Sequence, residues 1–330
     1  MTLSASSIGR RELLRGLAGL AGLTLGACER REGPYPSHEI RLVVHAAPGG
    51  ISDSVSRYIA RDLQARFTVP VICENRVGGG GLVAFSYVRQ AKPDAYTIGY
   101  APVDLAIVPH LGYTRMTPAD FDPLVMHTRA AAAVAVSRDA PWTTLEAFVQ
   151  AARARSRGIN VATAGPGSLW QIAMVALSKL TRTEFNYVPF PGSGPSVTAL
   201  LGGHVHAVVA GVSEVRAQVQ AGNVRLLGVM ASTRSPIAPD VPTCLERGFD
   251  LRFHAWGGLM LPKGAPVDRR DRLAAALVEV VRGGPFTRFC QDAGLEVAPM
   301  GPDEFRRFVM TEYAAFGPIV RDAAIGAGAS

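Results

Sequence analysis

Charge and cysteine are both scarce in this 330-residue chain. Charged residues make up 18% of it and hydrophobic residues 48%, against a globular charged fraction of about 25%, so a disordered, self-repelling chain is excluded. Four cysteines are too few for a disulfide-built scaffold, and no Cys-x-x-Cys pair offers a zinc site. Aromatics are only 7% and the formal charge of +7 is scattered rather than clustered. Without an aromatic-rich basic stripe, a nucleic-acid partner is excluded. Catalytic signatures are missing as well: there is no Gly-x-Ser-x-Gly elbow, and Gly78 to Gly81 lacks the Gly-Lys-Ser/Thr of a phosphate loop. His204 and His206 would share one strand face, but no cysteine or acid stands at companion spacing, so neither a metal nor another cofactor is expected. What is plentiful is glycine, with 35 residues, and proline, with 23, which points to many tight turns rather than a helical bundle. The length suggests two domains at about 150 residues each.

The amino terminus reads as an export segment. Arg10-Arg11-Glu12-Leu13-Leu14 precedes the apolar run Gly16 to Ala27, which is too short to span about 30 Å of hydrocarbon and matches a twin-arginine signal. Leu25-Gly26-Ala27-Cys28 is similar to a bacterial lipobox. Residues 1–27 are therefore expected to be a signal peptide, with Cys28 the lipidated first residue of a periplasmic, membrane-anchored product; an ordinary signal peptide with an incidental Cys28 is the alternative. Cleavage there would leave 31 basic and 26 acidic residues. Cys73, Cys244 and Cys290 would remain, an odd number, with buried free thiols as the default.

From Ile40 onward short apolar runs alternate with amphipathic stretches, the pattern of parallel strands joined by crossover helices. Leu42 to Ala47 predicts a strand, and Val55, Ile59, Leu63 and Phe67 recur every fourth residue on one face of a helix from Ser52 to Phe67. Further strands are predicted at Val69–Cys73, Ala95–Ala101, Ala130–Val136, Val161–Ala164, Tyr187–Phe190, Val205–Ala210, Val224–Met230 and Phe253–Leu261. Helices are predicted after most of them, at Trp142–Arg155 behind the capping candidates Thr143 and Thr144, and at the end from Val267 to Val281 and from Pro302 to about Phe316.

Two turns between a strand and a helix carry the most chemistry. Ala47-Pro48-Gly49-Gly50 with Ser52 and Asp53, and Ala164-Gly165-Pro166-Gly167-Ser168, combine glycine, which lets backbone approach a ligand, with a helix start that offers unpaired N–H groups to an anion. A carboxylate is the simplest candidate; taken singly, either turn reads first as a plain glycine bend with Ser52, Asp53 or Ser168 as helix caps.

Taken in order, these turns and their neighbours resemble a known family. Ile40-Arg41-Leu42-Val43-Val44, Pro48-Gly49-Gly50 with Asp53, Glu74-Asn75-Arg76, Lys92-Pro93-Asp94, Gly165-Pro166-Gly167-Ser168, Leu200-Leu201-Gly202-Gly203, Pro239-Asp240-Val241-Pro242, Gly257-Gly258-Leu259 and Gly301-Pro302-Asp303-Glu304-Phe305 look like the Bug-type solute receptors of tripartite tricarboxylate transporters. The resemblance implies an α/β, two-lobed periplasmic binding protein of the type II, Venus-flytrap kind. Residues 36–136 plus 255–330 would form one lobe and 137–254 the other. A small organic acid or amino-acid-like ligand would be held in the cleft by the two glycine turns, with Gly192, Ser193 and the segment after Ala101 lining the remaining wall. Such a receptor would be a monomer without catalytic residues, closing on its ligand and serving membrane permease subunits; a sensor kinase as the partner, or an exported enzyme using Asp104, Glu214 or a histidine as base, are the competing readings.

Four stretches depart from the family pattern. His45-Ala46-Ala47 precedes the first glycine turn, Pro102-Val103-Asp104 replaces small hydroxyl residues and glycine, Leu169-Trp170 opens the helix after Ser168, and Gly211-Val212-Ser213-Glu214 replaces a stretch that often carries Asp-Asn. An acid in the cleft favours an amine-bearing ligand, and Trp170 can narrow the pocket or stack on a ring, while Asp104 and Glu214 are equally readable as helix caps.

Overall fold

The structure, a computed structural model, describes residues 34–154 and 158–322. The export signal and Cys28 lie outside the described residues. Contacts divide the chain into Met1–Ser37 and His38–Ser330, and the architecture belongs to the second unit. No helix among the described residues is long and apolar enough to cross a membrane.

The first half of the sheet grows from βα units. β1 (Ile40–Val44) leads into α1 (Ile51–Phe67), β2 (Val71–Asn75) into α2 (Leu82–Gln90), and β3 (Thr97–Pro102) into the short α3 (Asp104–Ile107). β1 lies between β2 and β3 and pairs with both in parallel. The face of α1 anticipated from its four-residue spacing packs inward, with Val55, Ile59 and Leu63 wholly buried and Phe67 half-buried. The second half repeats the scheme. β5 (Asn160–Thr163), α5 (Leu169–Thr181), β6 (Asn186–Pro189), α6 (Ser193–Leu201), β7 (Ala207–Gly211) and α7 (Val212–Gln220) follow one another, and β5 pairs in parallel with β6 and β7. α4 (Leu145–Ala154) precedes them, with Thr144 Oγ1 accepting the Ala147 N–H at 3.1 Å.

Strand β4 (Phe121–Ser137) joins the halves. Over residues 121–131 it pairs antiparallel with β9 (His254–Pro262) and, on its other edge, with β10 (Glu296–Met300). From Ala132 onward it pairs antiparallel with β7 and with β8 (Val224–Met230). The sheet is therefore mixed, whereas the alternating pattern predicts parallel strands throughout. β4 is also much longer than the expected Ala130–Val136, because Asp122, Pro123, His127, Thr128 and Arg129 interrupt its apolar run. These residues are tolerated for local reasons. Asp122 accepts from Gly264 N at 2.8 Å and Arg306 Nη2 at 2.9 Å. The register slips between Pro123 and Val125 and again between Met126 and Thr128, so Pro123 and His127 sit at bulges, where a missing donor or an extra residue is absorbed.

The carboxyl-terminal part packs against the first half through α8 (Val267–Arg282), α9 (Gly284–Asp292) and α10 (Pro302–Asp322). α9 and β10 have no counterpart in the sequence reading. α9 is a nine-residue helix opening on Gly-Pro, with Phe286 and Cys290 buried one turn apart, too short for its period to stand out from the sequence; β10 is half-buried along its whole length and shows no alternation.

Candidate functional site

The first glycine turn is pinned from behind. Gly49 has φ +84°, a left-handed backbone that glycine adopts without strain, and its N–H donates to Asp53 Oδ2 at 2.9 Å. The same oxygen receives Arg57 Nε at 2.9 Å, and Oδ1 receives Asn75 Nδ2 at 2.9 Å. Asn75 also donates to the Ala46 carbonyl. The Arg57 hydrogen bond, helped by Gly49 and Asn75, lowers the buried Asp53 carboxyl to about 2. Asp53 thus fixes the loop from inside, while Ala47, Pro48, Gly49 and Gly50 stand exposed at its rim.

The second turn is fixed by its helix. Gly165 and Gly167 have φ +104° and +74°. Gly167 N donates to Gln171 Oε1 at 2.7 Å, and Ser168 caps α5 by accepting the Gln171 N–H at 3.3 Å. In the third turn Gly192 has φ +116°, and Ser193 Oγ accepts the Trp170 indole N–H at 2.9 Å.

Two cavities lie beside these turns and share Asp104. One, of about 180 Å³, is lined by Ser52 at the start of α1, Asp104 at the start of α3, Trp170 at the start of α5, and Gly211, Ser213 and Glu214 around the start of α7. The other, of about 440 Å³, has Ala164, Gly167 and Ser168 on one side and the apolar Leu82, Val108 and Leu111 on the other. The helix starts concentrate the positive ends of backbone dipoles, the local condition for holding an anion. Of the residues anticipated from sequence, Ser52, Asp104, Ala164, Gly167, Ser168 and Trp170 line these cavities, with Ser193 behind Trp170. Asp53 lies behind the first turn, and Gly165 and Gly192 shape the backbone of the other two.

Residues of the sheet and of the turn after β1 complete the smaller cavity. His45, Tyr100, Thr128, Arg129 and Trp256 contribute to its wall. The His45 and Tyr100 rings stack with centroids 5.1 Å apart, and His127 lies 5.3 Å beyond Tyr100. Burial holds His45 down to about 4 and His127 to about 3, so both imidazoles are uncharged near neutral pH. Burial likewise pushes the Tyr100 phenol up to about 12, despite a hydrogen bond with Ser52 that works the other way. Tyr100 fits because residue 257 is glycine: a Cβ there would overlap the Tyr100 hydroxyl and approach His127 Cε1 to 2.7 Å. A doublet such as Gly257-Gly258 inside a strand is the sequence signal for close approach of this kind.

The acids are perturbed by their surroundings. Desolvation raises the Asp104 carboxyl to about 6. Glu214 is open to solvent at the cleft mouth, yet protein surrounds it on most sides. That desolvation raises its pKa, against the Gly211 N–H, which it accepts at 2.7 Å, and Ser193. Arg129 also faces the cavity, and its Nε lies 3.2 Å from Glu296 Oε2.

The sequence from residue 55 to 325 matches the model of the tripartite tricarboxylate transporter family receptor. The chain belongs to this family. Among relatives of this receptor, the UPF0065 protein in the tcbD-tcbE intergenic region of a Pseudomonas species is 30% identical over 305 residues, 90% of each chain. A ligand-free TctC solute-binding protein from Polaromonas is 30% identical with a TM-score of 0.78, covering 87% of this chain and 99% of its own. R. palustris Rpa4515, solved with adipate, is 26% identical with a TM-score of 0.78, covering 88% and 99%. The α/β, two-lobed periplasmic binding protein fold anticipated from the motifs is the fold of this receptor family, which consists of solute-binding proteins.

The remaining sequence candidates have structural places. His206 Nδ1 accepts the Asn160 N–H at 2.9 Å, and among the described residues no group of three or more His, Cys, Asp or Glu side chains is arranged to hold a metal ion. Cys73, Cys244 and Cys290 are free thiols, the last two buried.

Proposed function

We propose that this chain is an extracytoplasmic receptor that closes on a small carboxylate and delivers it to the membrane subunits of a tripartite transporter. One observation carries the reading. The second glycine turn, and Ser52 on the helix that follows the first, line two cavities that share Asp104, with the starts of α1, α5 and α7 at the same region, while Ala47 to Gly50 stand at the rim outside both linings. The adipate held by Rpa4515 supports a carboxylate as the cargo. Ser52 and Ser168 would hydrogen-bond it, and Asp53 would keep the first turn in shape.

The lobes we assign are residues 36–136 with 255–330, and 137–254. Support comes from β4 exchanging its β9 and β10 neighbours for β7 and β8 at Ala132. A strand running through both halves allows them to close as rigid bodies about a short segment. We further propose that cleavage before Cys28 leaves a lipid-anchored receptor, which intact-mass measurement of the mature protein tests.

Calorimetry with mono-, di- and tricarboxylates, amino acids and aromatic acids is expected to find a saturable ligand, recovered unchanged after incubation. Ser168→Trp should remove that binding while the far-ultraviolet circular dichroism and the melting temperature stay near those of the parent. Absence of saturable binding across the panel, or chemical conversion of the bound acid, overturns the reading.

A further inference from the structure

We infer that the ligand carries a protonated amine as well as a carboxylate, and that Asp104 and Glu214 hold the amine. The inference rests on the receptor reading above and gives it a substrate class.

Both carboxylates line the 180 Å³ cavity, and Asp104 also borders the larger one. Neither forms an ion pair with a described residue. The partners of Glu214 are the neutral Gly211 N–H and Ser193, and Asp104 is hydrogen-bonded only by its own backbone. The guanidinium in the same wall, Arg129, faces Glu296, whose other oxygen accepts from Ser235, so its charge is already matched. His45, uncharged near neutral pH, supplies no compensating cation. Two carboxylates without a cationic partner among the described residues therefore border the space a ligand would fill, Asp104 inside it and the solvent-open Glu214 at its edge. A dicarboxylate placed there would meet like charge, whereas an ammonium would meet two acceptors and the rings of Trp170, Trp256 and Tyr100.

A second feature of the same wall is independent of the acids. His45 Nδ1 is sealed from solvent and has no hydrogen-bond partner, an arrangement that costs free energy unless a ligand atom meets it. The helix starts beside Ser52 and Ser168 remain for the ligand carboxylate, so the two ends of a zwitterion find opposite environments within one cleft.

The test is calorimetry near neutral pH on the mature chain with probes matched in length. One set is glutarate, γ-aminobutyrate and glutamate; another is succinate, β-alanine and aspartate. At least one amine-bearing probe should bind about tenfold or more tighter than the dicarboxylate of its set, as expected for a charge-assisted contact. Asp104→Asn should erase most of that preference and leave the dicarboxylate no weaker. Glu214→Gln should shift it the same way and serves should Asp104→Asn fail to fold. Dicarboxylates binding as tightly as the amine probes, or a preference that survives both substitutions, overturns the inference and leaves the receptor reading standing. A protein that binds no carboxylate overturns both.

Discussion

The Trp170 indole N–H donates to Ser193 Oγ at 2.9 Å, tying the first turn of α5 to the first turn of α6. Ser193 is in turn hydrogen-bonded with Glu214, so three helix starts share one polar chain. With its only donor occupied, the indole has one preferred orientation, and its ring forms a fixed part of the cavity wall.

Ligand binding should therefore change tryptophan fluorescence. Trp170 and Trp256 line the cavity, whereas Trp142 packs on Phe148 with ring centroids 5.3 Å apart. Titration with a binding carboxylate should shift the emission, and Trp142→Phe should leave that shift intact. Trp170→Phe should remove much of it. Ser193→Ala, which releases the indole, should cost about 0.5–1.5 kcal/mol of stability in urea denaturation and weaken binding several-fold. A shift that persists in a Trp170→Phe, Trp256→Phe double variant would place the ligand elsewhere.

Asp104 should be a liability to the empty protein. Its carboxyl is raised from the ordinary 3.8 to about 6 by desolvation, so the folded state holds a proton that the unfolded chain has already released. The stabilisation is complete below about pH 4 and is lost as pH rises through about 6. Asp104→Asn should accordingly stabilise the ligand-free protein near neutral pH, by about 1–3 kcal/mol at 1.36 kcal/mol per pKa unit. Below pH 4 the difference should vanish. Equal urea midpoints for the two proteins from pH 4 to 8 would contradict this account.

Residues that make the local backbone were readable from sequence, and residues brought together by sheet pairing were not. Gly49, Gly165, Gly167 and Ser168 announce their turns because a strand end, a glycine and a cap lie within five positions. The strand Val224–Met230 has the bounds its apolar pattern predicts. Tyr100, Arg129 and Trp256 come from three different strands, and His45 from the turn that leaves β1. Their meeting depends on β9 being inserted between β3 and β4, a long-range pairing with no local signal. β4 hides for the opposite reason: its polar residues are satisfied by partners far along the chain, such as Arg306 for Asp122 and Glu296 for Arg129.

Asp53 predicts an acid-sensitive first loop. The Arg57, Gly49 and Asn75 contacts lower its carboxyl to about 2 from 3.8, so the stabilisation is present above about pH 4 and is lost as pH falls toward 2. Asp53→Asn should be less stable than the parent at neutral pH and converge with it below about pH 2. Because the side chain fixes Gly49 rather than touching the cavity, carboxylate affinity should fall with it, and amide exchange at Gly49 and Gly50 should quicken. Unchanged exchange at those amides would show that the turn holds its shape without Asp53.

Gly257→Ala should damage the cavity through sterics alone. Its φ lies outside the left-handed region, so alanine meets no backbone penalty there. The added methyl would nevertheless overlap the Tyr100 hydroxyl and approach Tyr100 Cζ to 2.9 Å and His127 Cε1 to 2.7 Å. Neither ring can yield easily: His127 is wholly buried and Tyr100 is 4% exposed. Overpacking of this kind costs about 1–3 kcal/mol. Displacing Tyr100 would also break its hydrogen bond with Ser52 and weaken carboxylate binding. Tyr100→Phe deletes the atom in the worst conflict, so Gly257→Ala with Tyr100→Phe should recover part of the stability lost by Gly257→Ala. A double-mutant cycle in urea should then give a favourable coupling of about 0.5–3 kcal/mol. Strict additivity would mean that His127 rather than Tyr100 fixes the glycine at position 257.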